Sequence, residues 1–511
     1  MSKFQKKLER RKSGFKKKVD RNTSSKRRER RIVSLSRKTR QENLSKRRIS
    51  YGLQSPLQTR KPKQTINYDQ MTQQVPQLIR NLQSNDLQKQ KQTLTKIGEF
   101  LSQKKSPTKL MFEQGILEIL KEILVDQKIP ELIPDSIKLV GKFCSLDNEE
   151  TSHIVKAGFV NVLMEYLEIS NTDSNLVENI LICLGNIILD KIEYRDQFLE
   201  SDYVPRILDQ FENFYSLNLL PLATWTILNL CKRRPTADFS YTQQLIPIFV
   251  ELLDTDERKT LKNVCNGLSY LSKQPENHAV LVEFGAIKKL IELLSKDKES
   301  GIYYSLLVLN NFACGDESQL QELINLGILE NLYENYTNST HTRTKMQILL
   351  ILSNLCCGND LQLENIIESE IIFHVMEISK SEKFPKELII ETAWVLHNCF
   401  YSTNAGLIKS LIDIDGLGYL IKLVENHHKD PDFMEPCLIA IEKIMKNFPN
   451  KVLDIIENSN VLELLEKLQN SKYEITSEYS EKIIQNYYEM QEKMLEKDIS
   501  SNTNTKSEYK F

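Results

Sequence analysis

The sequence predicts an all-α solenoid of repeated helical units behind a disordered basic arm, and three observations carry that expectation. From about residue 77 to 490, Leu, Ile and Val recur at spacings of three and four with little strand-type alternation. Within that span an apolar phrase ending in Asn returns at a fixed interval. The first 48 residues, by contrast, hold 21 lysines and arginines against four acids, Glu9, Asp20, Glu29 and Glu42, a local net of +17. At 511 residues the chain is too long for one ordinary core, so a repeat array or several domains is required. The overall net charge of −1 hides a division, because the remaining 463 residues carry 47 basic and 65 acidic side chains, a net of −18.

The arm comes first. Residues 1–64 have almost no aliphatic clusters and cannot bury a core alone, so they are expected to be disordered when free. Runs such as Lys16-Lys17-Lys18, Lys26-Arg27-Arg28-Glu29-Arg30-Arg31 and Lys46-Arg47-Arg48 suit phosphate backbones as well as acidic protein surfaces. Between Ser24 and Arg48 there is no Pro or Gly, and Ile32, Val33, Leu35 and Leu44 give a basic helix something to pack against a partner. Composition leaves that reading and a merely solvated charge run both open. Residues 49–75, with Gly52, Pro56 and Pro62, lack periodicity; the arm is bounded at 1–64, a linker at 65–76 and the ordered body from 77. Residues 491–511 mix both signs and are expected as a disordered tail.

The body repeats. Asn186, Asn229, Asn311, Asn354 and Asn398 each end a related phrase, ILICLGN, WTILN, LLVLNN, LLILSN and WVLHN, at gaps of 43, 82, 43 and 44 residues; Tyr270 falls near the middle of the double gap. A second phrase keeps the rhythm, in Glu113-Gln114-Gly115-Ile116-Leu117, Lys156-Ala157-Gly158-Phe159-Val160, Glu283-Phe284-Gly285-Ala286-Ile287, Asn325-Leu326-Gly327-Ile328-Leu329 and Ile414-Asp415-Gly416-Leu417. Each copy places a Gly where one helical pattern ends and the next begins, where a left-handed residue costs least. A period of about 42 residues with two to three helices per unit is that of armadillo or HEAT solenoids, and residues 77–490 accommodate about ten units.

Stacking such units aligns the recurring Asn as a ladder along one face. The only two tryptophans, Trp225 and Trp394, each precede a ladder Asn by four residues, Asn229 and Asn398, so indole and amide share one helix face. Taken singly, each pair would read as a core Trp beside an incidental Asn; the repetition within the array argues for a shared task. A row of amides can donate to and accept from the backbone of an extended peptide, while an indole packs the stem and attracts the charge of a Lys or Arg. The alternative for the ladder is internal bracing of the helices.

These residues resemble the importin α family, and the resemblance covers nearly the whole chain. The arm, from Arg10-Arg11-Lys12 and Phe15-Lys16 through Arg27-Arg28, Arg37-Lys38 and Leu44 to Lys46-Arg47-Arg48, is similar to that family's importin-β-binding domain. Ala223-Thr224-Trp225 to Asn229-Leu230-Cys231 resembles its fourth repeat, Thr392-Ala393-Trp394 to Asn398 its eighth, and Leu465-Glu466-Lys467-Leu468-Gln469-Asn470 its tenth. The resemblance implies an armadillo-repeat right-handed superhelical solenoid acting as a nuclear import adaptor that shuttles between cytoplasm and nucleus. It implies three partners: importin β on the arm, cargo proteins with basic nuclear localisation signals in the groove, and an export receptor for recycling. It assigns Asn186, Asp190, Trp225 and Asn229 to a major cargo site, and Asn311, Asn354, Glu391, Trp394 and Asn398 to a minor one, with Lys46-Arg47-Arg48 able to occupy the groove when importin β is absent. The chain departs from the family pattern at Lys138, Lys142, Ile182 and Leu350, where Trp or Asn is expected. Lys138 and Lys142 either repel a basic peptide or are solvated.

Other classes fit less well. Nine scattered cysteines lack metal spacing and read as buried small hydrophobes in a reducing compartment, and no apolar core segment opens the chain. No run of about 18 apolar residues could span a bilayer. The seven histidines show no HExxH spacing and there is no glycine-rich phosphate loop, so no enzyme, cofactor or metal is expected; His397 beside Asn398 reads as structural. The rival is a cytoplasmic armadillo scaffold whose arm touches nucleic acid or an anionic membrane; the adaptor reading expects neither contact.

Overall fold

The structure, a computed structural model, describes residues 66–505 apart from 104, 170–172, 233–234, 297–298, 382–383 and 403. Among the described residues every regular element is helical. They repeat as units of three helices, for example Glu317–Asn325, Ile328–Asn338 and Thr342–Leu355. Three helices rather than two make the repeat armadillo-type.

The third helix of each unit carries the ladder. In chain order these are α1 (Leu87–Phe100), α2 (Ile133–Cys144), α3 (Ser174–Asp190), α4 (Leu220–Cys231), α5 (Arg258–Leu271), α6 (Glu299–Phe312), α7 (Thr342–Leu355), α8 (Lys386–Cys399), α9 (Pro431–Asn447) and α10 (Glu474–Thr505). The chain divides into two compact units. The first holds α1, α2 and, from residue 182, the end of α3; the second holds residues 164–181 and everything from Lys191. In the first unit α1 packs on α2. In the second, each third helix from α4 to α10 packs on the next.

α5 shows why such a segment is helical and buried. Glu257 caps its start, its side chain accepting from the Thr260 N–H at 2.6 Å. Leu261, Val264, Cys265, Leu268 and Leu271 then recur at three- and four-residue steps and are all buried. Truncating one of these leucines to Ala would cost about 2–5 kcal/mol.

The junction glycines behave as the sequence predicts at Gly115, Gly158, Gly285 and Gly327, with φ of 79°, 80°, 71° and 75°. At the last copy the left-handed residue is Asp415, φ 69°, and not Gly416. Gly416 is needed for a different reason: a Cβ there would stand 2.7 Å from the Leu411 carbonyl oxygen and 3.2 Å from the Phe400 ring. Two boundaries also differ from expectation. A helix over Tyr68–Leu82 begins inside the expected linker, capped by Asn67 and burying Met71, Val75, Leu78, Ile79 and Leu82. α10 runs to Thr505, beyond the expected end of the repeats at 490.

Candidate functional site

A helix ends with backbone carbonyls that have no partner within it. In the second unit the ladder amides use those carbonyls and the polar groups beside them. Asn398 Nδ2 donates to the Ser353 carbonyl at 2.6 Å and to Ser353 Oγ at 2.9 Å, joining α8 to the end of α7. Asn311 Nδ2 donates to the Ser269 carbonyl at 3.3 Å and to Ser272 Oγ at 2.9 Å, joining α6 to α5. Asn354 Nδ2 reaches Asn310 Oδ1 at 3.1 Å and Cys314 Sγ at 3.3 Å. Bracing is therefore a role of the ladder, carried by the NH2 groups. It leaves the amide oxygens: among the described residues no hydrogen-bond donor reaches Oδ1 of Asn311 or Asn354, and both residues are half-buried.

Beside Asn354 the surface opens into a cavity of about 510 Å³, lined among others by Ala313, Cys314, Gly315, Cys357 and Gly358. On α8, Trp394 is half-buried and meets His397 edge-on at 5.1 Å, and His397 in turn meets Tyr401 at 5.5 Å. His397 is buried in that aromatic run, a packing role. Glu391, half-buried, lies one turn before Trp394. The face is not uniformly acidic, since Arg343 stands exposed three turns before Asn354 on α7. Leu350, at the Trp position of α7, is half-buried.

The first Trp/Asn pair differs. Trp225 is half-buried, but Asn229 is 1% exposed, and the chain's own Lys232 donates to Asn229 Oδ1 at 2.8 Å. In the first unit, Asn186 and Asp190 are 0% and 3% exposed. These three, expected on an open face, are buried, and so is Asn398 on α8, at 8% exposed. Ile182 is buried as well.

Lys142 resolves one departure in the sequence. Its Nζ donates to the Gly98 carbonyl at 2.5 Å and to Ser102 Oγ at 3.2 Å, so it performs in α2 the bracing that Asn performs in α6 and α8. Gly98 makes room, because a Cβ there would meet Lys142 Nζ at 3.1 Å. Lys138 is exposed, as a solvated lysine should be. Lys443 of α9 likewise donates to the Tyr401 carbonyl. The sequence offered bracing for the ladder asparagines but only repulsion or solvation for Lys142, and it singled out no role for Lys443; the signal was their 42- to 44-residue spacing from the carbonyls they reach. The arm candidates, from Arg10-Arg11-Lys12 through Lys46-Arg47-Arg48, lie outside the described residues.

Residues 11–95 match the family described as the importin beta binding domain. Over 335 residues the chain is 25% identical to importin subunit alpha-3 of Arabidopsis thaliana, covering 64% of this chain and 63% of that protein. It is 26% identical over 433 residues to importin subunit alpha-1b of Oryza sativa subsp. japonica, covering 81% of this chain and 79% of that one. Importin subunit alpha-1a of the same plant is 25% identical and is spanned over 60% of its length, so for two of these relatives the chain matches less than two thirds of the protein. The crystal structure of an engineered protein shares the fold with a TM-score of 0.68, at 20% identity over 81% of this chain and 98% of that one. The chain thus carries an importin-beta-binding match over residues 11–95, and its body is similar to importin α subunits at 25–26% identity.

Proposed function

We propose that the protein is a nuclear import adaptor. Its arm binds importin β, and the ladder face of α6 to α8 holds a basic nuclear localisation signal as an extended peptide. The observation that carries this reading is the pairing of Asn311 and Asn354, whose NH2 groups brace the solenoid while their oxygens are left to accept from peptide N–H groups, with Trp394 and Glu391 on α8. The indole face takes the stem and charge of a Lys or Arg, and the carboxylate takes its cation. The match over residues 11–95 supports importin β as the arm's partner. Recycling by an export receptor, and shuttling between cytoplasm and nucleus, belong to the same reading. It involves no catalysis and no cofactor.

A titration of labelled basic peptide tests it. The full chain should bind the peptide more tightly when importin β is present, because Lys46-Arg47-Arg48 then leave the groove. Lys46→Ala/Arg47→Ala/Arg48→Ala should reproduce the gain without importin β. Asn354→Ala and Trp394→Ala should each weaken the peptide about tenfold, the size of a lost buried hydrogen bond or cation–π contact. Recovery of RNA or anionic lipid without importin β would favour the scaffold reading instead.

A further inference from the structure

The residue three positions after each ladder residue lies one turn further on, beside it at the helix end. After Asn229 and Tyr270 it is a lysine, Lys232 and Lys273; after Asn311 and Asn354 it is a cysteine, Cys314 and Cys357; after Asn398 it is Tyr401. Both lysines turn back onto the ladder. Lys232 Nζ stands 2.8 Å from Asn229 Oδ1, and Lys273 Nζ lies 4.4 Å from the centroid of the Tyr270 ring. A buried clamp fixes the first. Arg195, 1% exposed on the helix Ile192–Glu200, donates from Nη1 to the carbonyls of Lys232 at 3.2 Å and Pro235 at 2.8 Å, holding the backbone where it leaves α4 in extended conformation. Asn229 and Tyr270 are thus engaged by cations of the chain itself, whereas Asn311 and Asn354 are followed by small uncharged groups that line the 510 Å³ cavity.

We infer that Lys232 and Lys273 are built-in competitors for the basic side chains of cargo, so that this adaptor reads a single basic cluster, on α6 to α8, and gains nothing from a second cluster at Trp225 and Asn229. The inference rests on the groove reading above. A lysine already bonded to the amide oxygen occupies the acceptor a peptide would use, and its charge repels an incoming cation.

The test compares two labelled peptides on the full chain with saturating importin β: one with a single Lys/Arg cluster, the other with two clusters joined by a flexible spacer. A second engaged cluster raises affinity by about tenfold or more, and an unengaged one leaves it within about threefold. The unmodified chain should bind both peptides alike. Lys232→Ala/Lys273→Ala should bind the two-cluster peptide at least about tenfold more tightly than the single-cluster peptide, and Trp225→Ala added to that variant should remove the gain. A two-cluster advantage of that size in the unmodified chain, abolished by Trp225→Ala, would overturn the inference alone, as would a lysine variant with no gain. Single-cluster binding that Asn354→Ala leaves unchanged would overturn the groove reading, and this inference with it.

Discussion

Lys142 Nζ donates to the Gly98 carbonyl at 2.5 Å, the same cross-repeat bond that Asn398 Nδ2 makes to the Ser353 carbonyl in the other compact unit. An ammonium on a long stem and a short amide do one job. Lys142→Ala should therefore destabilise the first unit by about 0.5–1.5 kcal/mol, because the Gly98 carbonyl keeps the Ser102 hydroxyl as donor but loses the bond that ties α1 to α2. The affinity for a basic peptide should stay the same. Repeat arrays seldom unfold in one step, so the measurement is hydrogen exchange of the last turn of α1 rather than a global melt. Unchanged protection there, or a gain in peptide affinity, would refute the bracing role.

The buried Arg195 makes a second expectation. It serves the carbonyls of Lys232 and Pro235 and pairs with the half-exposed Asp196 at 2.6 Å, all from a side chain sealed from solvent. Arg195→Ala leaves those carbonyls unserved and should cost about 2–4 kcal/mol. Arg195→Lys should rescue little, since one ammonium cannot reproduce the planar fork. Limited proteolysis reads this directly: cleavage in the segment after α4 should rise in both variants, while cleavage elsewhere in the second unit stays unchanged.

What the sequence made legible was whatever repeats. Helical spacing, the 43- to 44-residue interval and the left-handed glycines at 115, 158, 285 and 327 are periodic signals, and a periodic signal is reinforced by every copy. What it hid depends on a single neighbour. Asp415 takes the left-handed turn because Gly416 is needed against the Leu411 carbonyl. Asn229 reads as a cargo residue until Lys232 is seen on its oxygen. The helix over Tyr68–Leu82 was obscured by its glutamines and Pro76, although Met71, Val75, Leu78 and Leu82 carry the spacing. For the candidate site the residue identities were readable, but their exposure was not, because exposure depends on how each helix end is enclosed.

The cysteines provide a prediction with a sign. Seven of the nine are buried, and only Cys314 and Cys357 are exposed. Burial pushes the thiols of Cys231 and Cys265 up to about 12 and raises that of Cys437, while the hydrogen bond from the Cys399 thiol, and burial after it, raise that of Cys356. Since the thiolate is the reactive form, a disulfide reagent near neutral pH should modify Cys314 and Cys357 in the native protein and the other seven only on unfolding. The same shifts link to stability. An unfolded cysteine titrates near about 8.5, so between that pH and about 12 the native state binds more protons than the unfolded state, and stability falls as pH rises. The contribution is fully present below about 8.5 and is lost through about 12, at up to about 1.4 kcal/mol per pH unit for each such thiol. Denaturation of the second unit at pH 8 and pH 10.5 should show that fall, and Cys231→Ala/Cys265→Ala should show a shallower one from a lower starting stability. Equal slopes in the two proteins would mean that these thiols do not govern the alkaline limit.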